Sequence, residues 1–394
     1  MATPGTAQPT SVGGMDTFNI AHGFVESLVR GMRNSFLSDS DYHHLTQCDN
    51  LDDCKMNLGE TDFGPALQEE STLSPTILQS AAINKLSTEF LYLRSQSVAP
   101  LSTFLDFITH EYMIDNIMLL LKGTMSGRDI NDLISMAHPL GLFKESTMRS
   151  IPTFESNSKG YADLYQCVLV DTPVGVYFAK FLKETSQQLG NAGEVRNVLE
   201  EVEIEIIKAS LQKFWLEDFY AFCEELGGET AMMMGEILRT RADTHAINVT
   251  LNSFGTALNE PSMRLSDRKR LYPSFGHLYP HGTAMLVNAH DPDSLGAVVS
   301  QFSQYAPAWT VHTSGVDKSI DDAFYERDVH QLELAFEGQM HFACFYAYVK
   351  LKEQEIRNLV WISECVLQNQ KESINSFVPI FSQHSPWRVK NQRR

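Results

Sequence analysis

Glu111-Tyr-Met-Ile114-Asp-Asn116-Ile117-Met118-Leu-Leu-Leu121-Lys122-Gly123 is the stretch on which the fold turns. Ile114, Ile117, Met118 and Leu121 fall at the i, i+3, i+4, i+7 spacing of a helix that buries one stripe. Pro100 suits the first turn and Gly123 the stop, so the pattern predicts a helix from Pro100 to Lys122. Other helices are expected from about Glu203 to Leu226, ended by Gly227-Gly228, from near Glu229 to about Phe254, and from Ala335 to about Asn369. Period-2 runs of Val, Ile and Thr joined by Asn-Gly or Asp-Gly turns do not occur, so the expected class is all-α.

The same pattern recurs. Glu111-Tyr-Met-Ile114-Asp-Asn116-Ile117 aligns with Asp243-Thr-His-Ala246-Ile-Asn248-Val249 and with Glu353-Gln-Glu-Ile356-Arg-Asn358-Leu359. Each copy has an acid, a small or aliphatic residue three on, Asn five on and an aliphatic six on. A looser match at Asp52 to Leu58 is broken by Lys55. A proline follows each of the three helices, at Pro139, Pro280 and Pro379, and two of these loops share a Pro-x-Gly turn. Asn is a poor helix former because its side chain competes for backbone groups. Its recurrence at one register points to hydrogen bonds between elements rather than to surface chance. Glu111, Asn116, Asp243, Asn248, Glu353 and Asn358 are therefore the candidate structural positions. Three similar units predict approximate three-fold pseudo-symmetry, and closing them in a ring would leave a concavity on the axis.

Composition narrows the function. The 394 residues carry 49 acids against 31 bases, a formal net charge of −18. Such a balance repels nucleic-acid phosphates and anionic headgroups. The densest apolar run, around Ile117 to Leu121, is closed by Asp115 and Lys122 and falls far short of the ~18 residues of a membrane span. Met1 to Gly14 has neither a charged n-region nor an apolar h-region, which predicts a disordered extension, no secretory signal and a cytosolic chain. The six cysteines are then expected to be reduced, and the sequon Asn248-Val-Thr250 unused.

Chemical signatures are sparse. No phosphate-cradling Gly-x-x-x-x-Gly-Lys loop and no Gly-x-Ser-x-Gly elbow occurs. His110-Glu111 opens like a zinc helix, but position 114 is Ile, so no second histidine follows one turn on. His43, His44, Cys48 and Cys54 match no standard zinc spacing, and His277, His281 and His290 sit among turn signals. The aromatic crowds Phe214, Trp215, Phe219, Tyr220, Phe222 and Phe342, Phe345, Tyr346, Tyr348 read as bundle core. No catalytic residue, metal ligand or cofactor is assigned.

Longer strings carry a resemblance. Phe18-Asn-Ile20, Leu28-Val-Arg-Gly31, Leu45-Thr-Gln-Cys48 and Thr61-Asp-Phe-Gly64 open it. Tyr112-Met-Ile-Asp-Asn116, His138-Pro-Leu-Gly141, Val170-Asp-Thr-Pro173, Leu216-Glu-Asp-Phe-Tyr220 and Leu271-Tyr-Pro273 continue it, and Phe345 to Trp361 is the most specific run. From about Asp16 to Ile380 the chain resembles the subunit d family of eukaryotic vacuolar-type proton-pumping ATPases. The resemblance implies a funnel like that of the related stalk protein in archaeal-type ATPases. It also implies a non-catalytic central-stalk role: capping the proteolipid ring on the cytosolic face of vacuolar, lysosomal or endosomal membranes and receiving the rotor shaft. Membrane association would run through the complex. The domain expected is residues 16–380, with repeats near 88–150, 203–285 and 335–380, an extension over 1–15 and a basic tail over 381–394. Two other classes are set beside it: a helical scaffold or regulatory protein outside the pump, and a metal-dependent enzyme built on the His/Cys sites.

Overall fold

The computed structural model describes residues 15–143, 148, 172–189, 201–313 and 320–383. Apart from Met15 and residues 381–383, the expected extension and basic tail lie outside the described residues, as do Cys167 and Val170-Asp171. The chain begins with α1 (Met15–Met32), α2 (Asp39–Thr46), α3 (Leu51–Gly59), α4 (Gly64–Leu67) and α5 (Pro75–Ser95). Next come α6 (Leu101–Met125), α7 (Ile130–Met136), α8 (Gly175–Leu189), α9 (Glu201–Leu226) and α10 (Gly228–Ser253). The rest carries α11 (Pro261–Ser266), α12 (His281–Asn288), α13 (Pro292–Val299), α14 (Ala306–Thr313), α15 (Ile320–Leu334) and α16 (Ala343–Leu367). No strand occurs among the described residues, and the fold is all-α.

Local chemistry places many of the ends. Ser38 accepts from the Asp41 N–H while the Asp41 carboxylate accepts from the Ser38 N–H, a reciprocal cap on α2. Ser74 accepts from the Ile77 N–H, with Pro75 opening α5 where no donor is missed. Gly227 stands at φ +69, the left-handed conformation that ends α9 and lets α10 start at once. Two expected ends move. Gly123 lies inside α6, which continues to Met125; a Cβ there would sit 2.2 Å from Leu133 Cδ2, so the residue serves close packing. The last long helix starts at Ala343 rather than Ala335, because the chain turns after Leu334 and Met340 takes φ 62.

The chain divides into two compact units. One comprises Met1–Leu105, Cys223–Ile237 and Val311–Arg394. Its centre is α16, which packs against α1, α2, α3, α5 and α15. Every residue from Ala343 to Val349 is buried, the pattern of a helix enclosed on all sides. The other unit comprises Asp106–Phe222 and Leu238–Thr310. Trp215, 1% exposed, anchors it: its indole N–H donates to the Phe107 carbonyl at 2.8 Å, and Phe107 stacks on Phe219 at 5.3 Å. Of the expected aromatic core, Phe214, Trp215, Phe219, Phe342, Phe345, Tyr346 and Tyr348 are buried, while Tyr220 and Phe222 are half-buried.

Candidate functional site

Asn116 projects from α6 and is 2% exposed. A buried amide has a donor and an acceptor to satisfy, and one backbone residue offers both. His138 does so: its N–H donates to Asn116 Oδ1 at 2.8 Å, and Asn116 Nδ2 donates to its carbonyl at 2.9 Å. Pro139 comes next, and Gly141 lies so close that a Cβ would stand 2.4 Å from the Tyr112 carbonyl oxygen. His138 also stacks on Tyr112 at 4.3 Å.

Asn358 on α16, likewise 2% exposed, repeats the arrangement. The Val378 N–H donates to its Oδ1 at 3.2 Å and its Nδ2 donates to the Val378 carbonyl at 2.7 Å, again at the residue before a proline. Nδ2 also reaches Tyr42 Oη at 3.2 Å, and Gln354 Nε2 donates to Oδ1 at 3.0 Å.

On α10 the backbone contacts come from Asp243, 1% exposed. Its carboxylate accepts from the His277 N–H at 2.9 Å, the Leu278 N–H at 3.0 Å and Tyr305 Oη at 2.5 Å. A carboxylate cannot donate, so it takes two successive N–H groups instead of both groups of one residue. Burial pushes its carboxyl above the ordinary value, against the pull of those three donors. Asn248, one and a half turns on, is half-buried with interactions of its own. Glu111 pairs with Arg241 across α6 and α10, and Glu353 pairs with Lys350 at 2.9 Å on α16.

Pattern reading missed the buried charges. Lys352 and Glu355 look like an exposed i, i+3 pair, yet both are almost fully enclosed and 2.7 Å apart. Lys352 also donates to the Ser35 carbonyl at 3.0 Å, and Glu355 accepts from the Leu37 N–H at 2.6 Å. Burial raises the Glu355 carboxyl while Lys352 pulls it down. Arg268 is wholly buried; it donates to the Ser253 hydroxyl at 2.8 Å and to the Val287 carbonyl at 2.7 Å. Lys352 and Glu355 lie on the enclosed α16 and Arg268 in a short turn between Asp267 and Lys269, so their burial emerges only once the packing is known.

These groups hold backbone; they are poorly placed for chemistry near neutral pH. His110 donates to or accepts from Tyr177 Oη at 2.9 Å, and burial lowers its pKa to about 4. Burial raises the Cys344 thiol to about 12, far from a reactive thiolate. His43 and His44 are exposed, Cys48 and Cys54 buried, and His277 serves through its backbone. Among the described residues no three His, Cys, Asp or Glu converge as a metal site would require.

Asn116, Asp243 and Asn358, conspicuous buried polar side chains among the described residues, all hold the backbone of returning loops. The chain belongs to the ATP synthase (C/AC39) subunit family, whose model matches residues 25–377. It is 44% identical over 94% of its length, and 98% of the relative's, to the V-type proton ATPase subunit d of Dictyostelium discoideum. The V-type proton ATPase subunit d2 of Arabidopsis thaliana is 42% identical over 92% of the chain and 97% of its own length. The V-type proton ATPase subunit d of Saccharomyces cerevisiae is 37% identical over 92% of the chain and 99% of its own.

Proposed function

We propose that this chain is the d-type subunit of a V-type proton ATPase, a non-catalytic stalk element inside a membrane-associated pump complex. The observation that carries this is near full-length similarity to relatives bearing that name in organisms as distant as a slime mould, a plant and a yeast. No helix among the described residues is long and apolar enough to cross a membrane. In the proposed complex, attachment runs through other subunits. On this reading the chain sits on the cytosolic face of vacuolar, lysosomal or endosomal membranes. It joins the proteolipid ring to the rotor shaft of the catalytic sector, so that ATP hydrolysis elsewhere drives proton transport. Helices packed at crystal-like density deform little under load, which suits torque transfer.

The proposal includes three similar helical units around an axis, with repeats near 88–150, 203–285 and 335–380 in a domain of residues 16–380. Glu111, Asn116, Asp243, Asn248, Glu353 and Asn358 are its structural positions. The like grips of Asn116 and Asn358 on pre-proline residues support that part. The test is depletion of the protein, followed by organelle acidification and membrane attachment of the catalytic sector. Both are expected to fail. Intact acidification without the chain would sink the reading, and a chain that never co-purifies with ring and shaft subunits would belong to a scaffold outside the pump.

A further inference from the structure

Between α4, the loop that follows it and one face of α5 runs an open groove of about 700 Å³. That volume lies within the ~300–1,000 Å³ of sites that enclose small ligands. Its α5 wall is a ladder of short, uncharged polar side chains at every fourth position: Thr76, Ser80, Asn84 and Thr88, all exposed. Successive rungs of such a ladder are about 6 Å apart, four residues at ~1.5 Å each. Alternate residues of an extended polypeptide repeat at nearly the same interval, about 6.6–6.8 Å. Small residues, Ala66 and Ala81, keep the groove open.

The charge around it is one-sided. Asp62, Glu70 and Glu89 line the groove with a single cation, Lys85, which is already held by Asp62 and Glu89, leaving the lining at net −2. Tyr348 Oη donates to Glu89 Oε2 at 2.7 Å and fixes that carboxylate from behind. The stretch Asp39 to Glu70 leading into the groove holds nine carboxylates and one lysine, Lys55, whose ammonium donates to the Glu70 carbonyl. Its net −8 is a disproportionate share of the −18 carried by the whole chain.

We propose that this groove docks an extended, lysine- or arginine-bearing segment of a partner protein. Alternate residues of the segment follow the α5 ladder, and its cations meet Asp62 and Glu70. The carboxylates also steer the approach, since acidic clefts concentrate cationic partners. This inference does not depend on the pump reading.

The test uses the full-length chain and a fluorescein-labelled peptide alternating lysine and alanine, read by fluorescence anisotropy at low salt. Ser80→Trp fills the groove without changing charge, and Thr88→Arg cuts the net charge of its lining from −2 to −1; both positions are exposed, so folding is retained. Each is expected to weaken binding about tenfold, whereas Asp39→Asn and Asp52→Asn, outside the groove, stay within about twofold. Unchanged affinity in both groove variants overturns the proposal, as does equal weakening by Asp39→Asn. So does competition by spermine equal to that by unlabelled peptide, because spermine brings charge without a backbone.

Discussion

Asn358 in one unit and Asp243 in the other do comparable work with different chemistry. The amide of Asn358 matches both polar groups of Val378 and is indifferent to pH. The carboxylate of Asp243 collects the His277 and Leu278 N–H groups and the Tyr305 hydroxyl, and carries a charge into a nearly closed site. Each side chain thus selects the loop geometry it can hold: an amide pairs with one residue, a carboxylate spans two.

The largest effect is expected from Asn358→Leu. Both polar groups of Val378 and the Tyr42 hydroxyl lose this partner in the core, a loss of about 3–4 kcal/mol in denaturant titration at roughly 1–3 kcal/mol per buried unsatisfied group. A loss below about 1 kcal/mol would show that the α16 grip is replaceable by packing. Asp243→Asn should cost less, about 2–3 kcal/mol, because the amide accepts one of the two N–H groups and turns its own donors toward the other. If that variant is as stable as the parent, the carboxylate's charge has no role in holding the loop.

Acid acts on buried histidines in both units. His110 and His245, both in the second unit, have folded pKa values near 4 because burial disfavours their charged form. Between the unfolded value of ~6.5 and about 4 the unfolded chain binds more protons, so their contribution is complete above ~6.5 and lost as pH falls through that window. Going from about pH 7 to 5 should remove roughly 1–2 kcal/mol for each, and His110→Gln should flatten the slope. Asp243 opposes this, since its raised pKa makes its contribution fall as pH rises above the ordinary carboxyl value. In the first unit burial also lowers the pKa of His22 and of His341, just before α16. Hydrogen exchange on acidification should therefore find α16 loosening as well as α6 and α10. An α16 untouched by acid would show that His341 has no part in the response. The smallest effect belongs to Asn248→Leu, about 1 kcal/mol or less for a half-buried amide. A loss equal to that of Asn358→Leu would put Asn248 on the same footing as the two buried asparagines.

The long helices were legible because their stops are backbone events: Gly227-Gly228 ends one helix in any context. The Asn register was legible at positions 116 and 358 because an amide on an apolar face needs a partner. The partner itself was not, since His138 lies 22 residues away and Val378 lies 20, and spacing does not encode which loop returns. Asp243 was visible as an acid in the repeat, but nothing local tells a desolvated carboxylate from an exposed one. Lys352 and Glu355 were missed for the same reason. Gly123 read as a stop because close helix packing and chain reversal ask for the same residue.

The grip of α16 on Ser35, Leu37 and Tyr42 closes a loop of more than 300 residues, and this has a consequence during synthesis. The first unit's opening segments leave the ribosome long before the helix that completes their core exists. At ~5–20 residues per second the wait is roughly 15–60 s, with the inner faces of α1, α2 and α5 uncovered throughout. The second unit's residues are all made within that interval. A stalled chain ending before Ala343 should therefore bind chaperones through its oldest residues rather than its newest.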